Sequence, residues 1–87
     1  MSELEAQFKT AAEAVKTLPE KPENDMLLRL YGLYKQGSEG DVSGAKPGFF
    51  DFKGVAKYEA WDKLKGTSAE KAMEDYVKLV KRLGGKV

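Results

Sequence analysis

Residues 22–36 read Pro22-Glu23-Asn24-Asp25-Met26-Leu27-Leu28-Arg29-Leu30-Tyr31-Gly32-Leu33-Tyr34-Lys35-Gln36. A proline near the start, an acid in the first turn and a long apolar run predict a helix. With 3.6 residues per turn, Met26, Leu30 and Leu33 share one side, the expected core side. Leu27, Tyr31, Tyr34 and Lys35 share a second side, and Arg29, Gly32 and Gln36 a third, polar one. The second side is unusual. Two phenols and an ammonium stand about one turn apart with leucines beside them. Rings that stack, hydroxyls that donate and a fixed positive charge suit a nucleotide phosphate. The same residues also suit amphipathic tyrosines packed with their hydroxyls at the rim, and pattern alone favours this second reading.

Ser2-Glu3-Leu4-Glu5, before this stretch, has the form of a capping box. Leu4, Phe8, Ala11, Val15 and Leu18 follow at helical spacing, flanked by Lys9, Ala12 and Lys16. This predicts a first helix over about 3–17, stopped by Pro19. The helix of the opening stretch is expected over about 22–37, ending near Gly37. Residues 37–48 carry Gly, Ser, Asp and Pro without apolar period, which reads as a loop. A connection of about a dozen residues frees the flanking helices from being antiparallel neighbours. Asp51 can cap a third helix over about 51–65, with Gly66 as its stop. Ala60, Trp61 and Leu64 share a face there, with Lys57 one turn earlier on the same face. Such a lysine either snorkels to water or stands at the mouth of a groove. Thr67-Ser68-Ala69-Glu70 reads as a second capping box. Ala69, Ala72, Met73, Tyr76, Val80 and Leu83 then mark a fourth helix over about 68–83, ended by Gly84-Gly85. Tyr76, in the middle of that stripe, is expected in the core. Four amphipathic helices around one core predict an all-α bundle, with residues 1–87 as a single domain.

Composition narrows the function. Fifteen basic and 14 acidic residues leave a net charge of +1, unlike the basic surface of a general nucleic-acid binder. The chain has no cysteine and no histidine, so disulfides, thiol nucleophiles and the commonest general base and metal ligand are out of reach. Ser2, Ser38, Ser43 and Ser68 have no evident base beside them. No Walker loop, dinucleotide fingerprint or metal-ligand spacing is present, and Gly37-Ser38-Glu39-Gly40 reads as a turn. Catalysis, a metal and a cofactor are not expected. No apolar run approaches the roughly 20 residues that span a bilayer, and no signal-peptide core is seen. The expected location is therefore cytoplasmic, without stable membrane insertion.

Lys21-Pro22 and the run Tyr31-Gly32-Leu33-Tyr34-Lys35-Gln36 resemble the signature of the acyl-CoA-binding protein family. The resemblance continues in order through Gly40-Asp41, Pro47-Gly48, Asp51-Phe52-Lys53-Gly54, Ala56-Lys57, Ala60-Trp61 and Leu64-Lys65-Gly66-Thr67-Ser68. Phe8, Ala11-Ala12 and Val15-Lys16 near the start match too, as do Ala72-Met73 and Tyr76. Each string alone is weak, but the ordered set is specific.

The resemblance implies an up-down-down-up four-helix bundle. It implies a monomer that binds medium- and long-chain acyl-CoA esters and serves as their intracellular carrier and pool former. Enzymes that produce or consume these esters are its implied partners. By the same resemblance, Tyr34 stacks on or near adenine. Tyr31, Lys35, Lys57 and Tyr76 converge on the 3′-phosphate, with Lys16 nearer the diphosphate. Phe8, Ala12 and Leu28, with Met26-Leu27, lie near the ligand, and Lys53 is a weaker candidate. The reading of Lys16 as a solvated flank charge stays open. Glu23, Asn24 and Gly37-Ser38 depart from the family pattern without touching the tyrosine–lysine set, and Tyr58, where many members carry another tryptophan, keeps an aromatic ring. Two rivals remain: a helical module whose tyrosine–lysine face meets a protein, and a membrane-surface protein. The mixed charges of the first and fourth helices speak against the latter.

Overall fold

The computed structural model describes residues 2–87. Four α-helices form: α1 Glu3–Ala14, α2 Asn24–Glu39, α3 Phe52–Asp62 and α4 Ala69–Arg82. The principal contacts run from α3 to α2, from α2 to α4 and from α4 to α1. Phe8, Ala11, Leu30, Leu33, Ala72, Tyr76, Val77, Leu79 and Val80 make the core. These positions recur at helical spacing, so each helix buries one stripe and leaves the opposite face to water.

The helix ends show local chemistry at work. Ser2 caps α1 by accepting from the Glu5 amide at 3.1 Å. The α-helix stops at Ala14, short of the expected 17, and tightens into a 3-10 turn over Val15–Thr17. Leu18 is extended (φ −62°, ψ 147°), as the residue before a proline is obliged to be. α2 begins at Asn24 rather than Pro22, and Glu23 holds the cap position without a side-chain cap hydrogen bond. Asp51 caps α3 from the Gly54 amide at 2.9 Å. α3 ends at Asp62, and Leu64, Lys65 and Thr67 then donate to carbonyls three residues back, which tightens the chain into turns up to Gly66. The box before α4 is shifted by one residue: Ser68, not Thr67, is the cap, accepting from the Lys71 amide at 3.1 Å. After α4, Gly85 donates to Val80 at 2.8 Å and Gly84 to Lys81 at 3.0 Å, a Schellman ending.

Three positions of the polar and apolar patterning are corrected by packing. Gly32 and Gln36 are buried rather than on a polar surface, and Met26 is 37% exposed rather than in the core. A Cβ at Gly32 would stand 2.6 Å from the Ala60 carbonyl oxygen, so this glycine sets the close approach of α2 and α3. Gly37 does not end α2, which continues to Glu39. A Cβ there would meet Phe8 at 3.0 Å and Met73 at 3.1 Å. Tertiary packing thus overrides the intrinsic helix cost of glycine, about 1 kcal/mol. In α4 the stripe also takes in Val77 and Leu79, whereas Ala69 is exposed.

Gln36 ties the end of α2 to the turn before α4. Its Nε2 donates to Thr67 O at 2.7 Å and to Asp41 Oδ1 at 2.9 Å. Asp41 Oδ1 also accepts from the Gly66 amide at 2.8 Å. The Trp61 indole donates to Gly40 O at 2.7 Å, securing α3 against the same corner. Since α2 carries both tyrosines and Lys35, these bonds hold the candidate site in place.

Candidate ligand-binding site

α2 presents Tyr31, Tyr34 and Lys35 along one edge, as expected for residues three and four positions apart. Three rings meet at its lower end. Phe8 of α1 stacks on Tyr34 with centroids 5.4 Å apart and planes 24° apart. Tyr76 of α4 meets Phe8 edge-on at 5.2 Å and lies tilted against Tyr34 at 6.0 Å. Tyr76 is buried, while Tyr34 keeps 41% of its surface exposed. Tyr34 is therefore an open platform backed by a packed aromatic cluster. Burial, and secondarily the Tyr34 phenol, push the Tyr76 hydroxyl above its ordinary pKa, so it remains a protonated donor at neutral pH.

Lysines approach from two helices. Lys57 of α3 sets its ammonium 5.4 Å from the centroid of the Tyr31 ring. Lys57 is exposed, so its ammonium stands at the Tyr31 ring while staying open to water, which fits both the snorkelling and the groove-mouth readings. Lys35 lies 4.9 Å from the Trp61 ring centroid and pairs with Glu39 one turn on. The Glu39 hydrogen bond is the largest influence on Lys35 and raises its pKa. Desolvation opposes this, and the charges of Glu39, Tyr31 and Tyr34 add to it. Lys35 stays cationic, near both phenols.

The aromatic cluster Phe8, Tyr34 and Tyr76, the Lys57–Tyr31 pair and Lys35 beside Trp61 thus draw on all four helices, with Tyr31, Tyr34 and Lys35 of α2 common to them. Ala12 is partly buried against the core. Lys16 is exposed in the 3-10 turn and pairs with Glu13 at 3.4 Å. Lys53, also exposed, lies in the first turn of α3. Among the described residues, no contact joins Lys16 or Lys53 to the tyrosines. Leu28 lines a cavity of about 580 Å³ between α2 and α3, with Arg29, Ala56, Ala60 and Leu64 among its neighbours. This groove lies one helical turn from Tyr31 and adjoins Lys57 in sequence. Ala56 escapes a search for large or charged residues. Its signal is the spacing Ala56, Ala60, Leu64, a stripe of small-to-medium residues along α3.

The arrangement offers cations and hydroxyl donors, an open aromatic face and a partly apolar trough. A family model described as acyl CoA binding protein matches residues 5–80. The chain belongs to the acyl-CoA-binding protein family. The acyl-CoA-binding protein homolog of Drosophila melanogaster is 51% identical over 80 residues, covering 92% of this chain and 93% of the relative. The homolog 1 of Caenorhabditis elegans is 53% identical over 76 residues, covering 87% and 88%. The crystal structure of acyl-CoA-binding protein 2 from Oryza sativa superposes with a TM-score of 0.88 at 45% identity, covering 92% of this chain and 89% of that one. The four-helix, up-down-down-up fold of the family is the fold of this chain.

Proposed function

We propose that this protein binds acyl-CoA esters on the tyrosine–lysine edge of α2 and carries them as a soluble pool. The observation that carries the reading is the Lys57–Tyr31 contact, which brings a cation from α3 to the phenols of α2. Family membership supports binding and carriage rather than catalysis, and acyl-CoA is the ligand, with no cofactor of its own.

An acyl-CoA ester has an anionic head and an apolar tail, and its 3′-phosphate alone carries about −1.5 to −2 charges at neutral pH. Tyr31, Lys35, Lys57 and Tyr76 meet that phosphate, while adenine lies on Tyr34. Lys16 reaches the diphosphate by exchanging Glu13 for it. Phe8 and Ala12 support the adenine end, and Lys53 adds positive potential at the start of α3. The tail follows the α2–α3 groove past Leu28. Each charge-assisted contact contributes about 1.5–3 kcal/mol and each buried methylene about 0.8 kcal/mol. Medium and long chains are therefore preferred over bare CoA, and a free fatty acid leaves the cations unmet.

Calorimetric titration with a long-chain acyl-CoA, with bare CoA and free fatty acid as controls, tests this. Tight one-to-one binding of the ester alone is expected. Absence of heat with folded protein, together with unchanged Trp61 fluorescence, would refute it.

The protein acts as a monomer in the cytoplasm, exchanging esters with the enzymes that make and use them. None of the described helices is long and apolar enough to cross a membrane, and the net charge of +1 gives no general affinity for nucleic acid. Sedimentation of the purified chain as a dimer, or its recovery with organelles on cell fractionation, would count against this.

A further inference from the structure

Arg29 of α2 and Lys78 and Arg82 of α4 line a cleft of about 240 Å³ between the two helices, together with Asp75 and the buried Leu79. On α2, Arg29 stands two residues before Tyr31, about 200° round the helix from it. The cleft is therefore separate from the tyrosine–lysine edge. All three cations are exposed. Among the described residues, none of them has a carboxylate within ion-pairing distance, whereas Lys16, Lys35, Lys46 and Lys71 each have one. Asp75, the acid of the cleft itself, is taken up by Lys71 at 3.1 Å.

The helix dipole accounts for part of this charge and not for the rest. Lys81 and Arg82 occupy the last turn of α4, where cations are favoured. Lys78 lies a turn earlier, and Arg29 stands in the middle of another helix. From Tyr76 to Val87 the charged side chains are Lys78, Lys81, Arg82 and Lys86, a charge of +4 in a chain whose net charge is +1. Charge and shape together select the occupant. Arginine pairs a carboxylate through two parallel hydrogen bonds. Lys78 and Arg82, four residues apart, repeat at one helical turn, and carboxylates spaced by one turn on an acidic helix match that repeat. A bilayer is a poorer occupant. The exposed large apolar side chains are Met26, Tyr34, Phe49, Phe50 and Phe52, and none of them lines the cleft, so nothing there enters the acyl-chain layer.

We propose that Arg29, Lys78 and Arg82 form a docking cleft for an acidic helical segment of a partner protein. The association is electrostatic, fast and reversible. Arg29 also lines the α2–α3 groove, so a docked partner stands beside the trough that the proposed ligand reading gives to the acyl chain. Only this last consequence rests on that reading; the cleft does not.

Nuclear magnetic resonance titration of the ligand-free chain at low salt tests the cleft. The probe is an alanine-rich helical peptide with a glutamate at every fourth position, and the controls are the same peptide with glutamine in place of glutamate, inorganic phosphate, and phosphatidylserine vesicles. Acyl-CoA is absent from every arm, so failure here leaves the ligand reading untouched. The glutamate peptide should shift the amide signals of Arg29, Lys78, Leu79 and Arg82, and its binding should weaken as salt is raised. Lys78→Gln/Arg82→Gln should weaken it about tenfold and Arg29→Gln about three- to fivefold. The substituted side chains are exposed, so the thermal midpoint should move little. Equal binding of the glutamine peptide overturns the proposal, as do shifts that fall on Tyr31, Lys35 and Lys57 instead, or undiminished binding by the double variant. Equal shifts with inorganic phosphate would make the cleft a small-anion site, and stronger perturbation of the same signals by the vesicles would assign it to membranes; either result overturns the proposal equally.

Discussion

The side-chain amide of Gln36 donates to the carbonyl of Thr67, 31 residues further on, at 2.7 Å. Gln36 is fully buried, and its Oε1 has no hydrogen-bond partner among the described residues. Both neighbours of Nε2 are acceptors, Thr67 O and Asp41 Oδ1, so the amide has one workable orientation. This bond is the corner on which the end of α2, the start of the long loop and the turn before α4 depend.

Replacing Gln36 with leucine removes both donors at once and leaves the Thr67 carbonyl without them. The expected cost is about 1–3 kcal/mol per buried group left unpaired. Gln36→Glu should be worse near neutral pH, because it sets a carboxylate against two acceptors, and should recover partly in acid as that carboxyl takes up a proton. Urea unfolding of the two variants at neutral and acidic pH checks both statements. Equal stability of wild type and Gln36→Leu would mean that the corner contributes nothing.

Asp41 carries the pH dependence of the same corner. The Gly66 amide first, and the Gln36 amide second, lower its pKa below the ordinary 3.8. A carboxylate whose folded-state pKa is depressed stabilises the fold above its unfolded value. That contribution is lost as pH falls through the folded value. Wild type should therefore exceed Asp41→Asn in stability at neutral pH, with the gap closing below the ordinary carboxylate range. Paired denaturation curves across the acidic range measure it, and a gap that widened in acid would contradict the assignment.

The pattern of this corner also explains what could be read from the sequence. Tyr31, Tyr34 and Lys35 were legible because an edge of a helix is a local property, fixed by spacings of three and four. Phe8 and Tyr76 were legible as members of apolar stripes. Gln36 was not, because a glutamine on a helix is polar until a partner 31 residues away buries it. Gly37 looked like a helix stop. Only the side chains of Phe8 and Met73, delivered by two other helices, make it an interior position. The counter-ion of Lys35 is hidden for a different reason: residues 37–48 read as a loop, and only the extension of α2 brings Glu39 one turn from Lys35.

Phe8 and Tyr76 allow structure and ligand binding to be separated. Tyr76→Phe keeps the ring that packs on Phe8 and Tyr34, so stability should change by no more than about 1 kcal/mol. If its hydroxyl donates to the ligand phosphate, affinity for acyl-CoA should fall by about 1.5–3 kcal/mol, or roughly 10- to 150-fold. Phe8→Ala should do the reverse in part, costing about 3–5 kcal/mol of stability because it empties the centre of the aromatic cluster. Thermal unfolding and calorimetry on the two variants decide it. Tyr76→Phe with native affinity would remove Tyr76 from the site.

Glu39 should oppose binding. It pairs with Lys35 in the ligand-free protein, and Lys35 is the cation that the proposed site directs at the 3′-phosphate. Binding then exchanges a carboxylate for a phosphate, and the released Glu39 remains nearby as a like charge. The pair itself contributes little to the fold. The Lys35 side chain is 23% exposed and Glu39 51%, a range in which such pairs stabilise by about 0.2–1 kcal/mol. The acid also sits at the last residue of α2, where the helix dipole disfavours negative charge, and it follows its lysine in the less favourable order. Glu39→Gln should therefore leave stability nearly unchanged and tighten acyl-CoA binding up to about fivefold, the equivalent of the pair energy released. The gain should shrink as salt is raised, because both the competing pair and the repulsion are screened. Isothermal titration at low and high ionic strength reads both effects. Weaker binding by Glu39→Gln would show that Glu39 positions Lys35 for the ligand rather than competing for it.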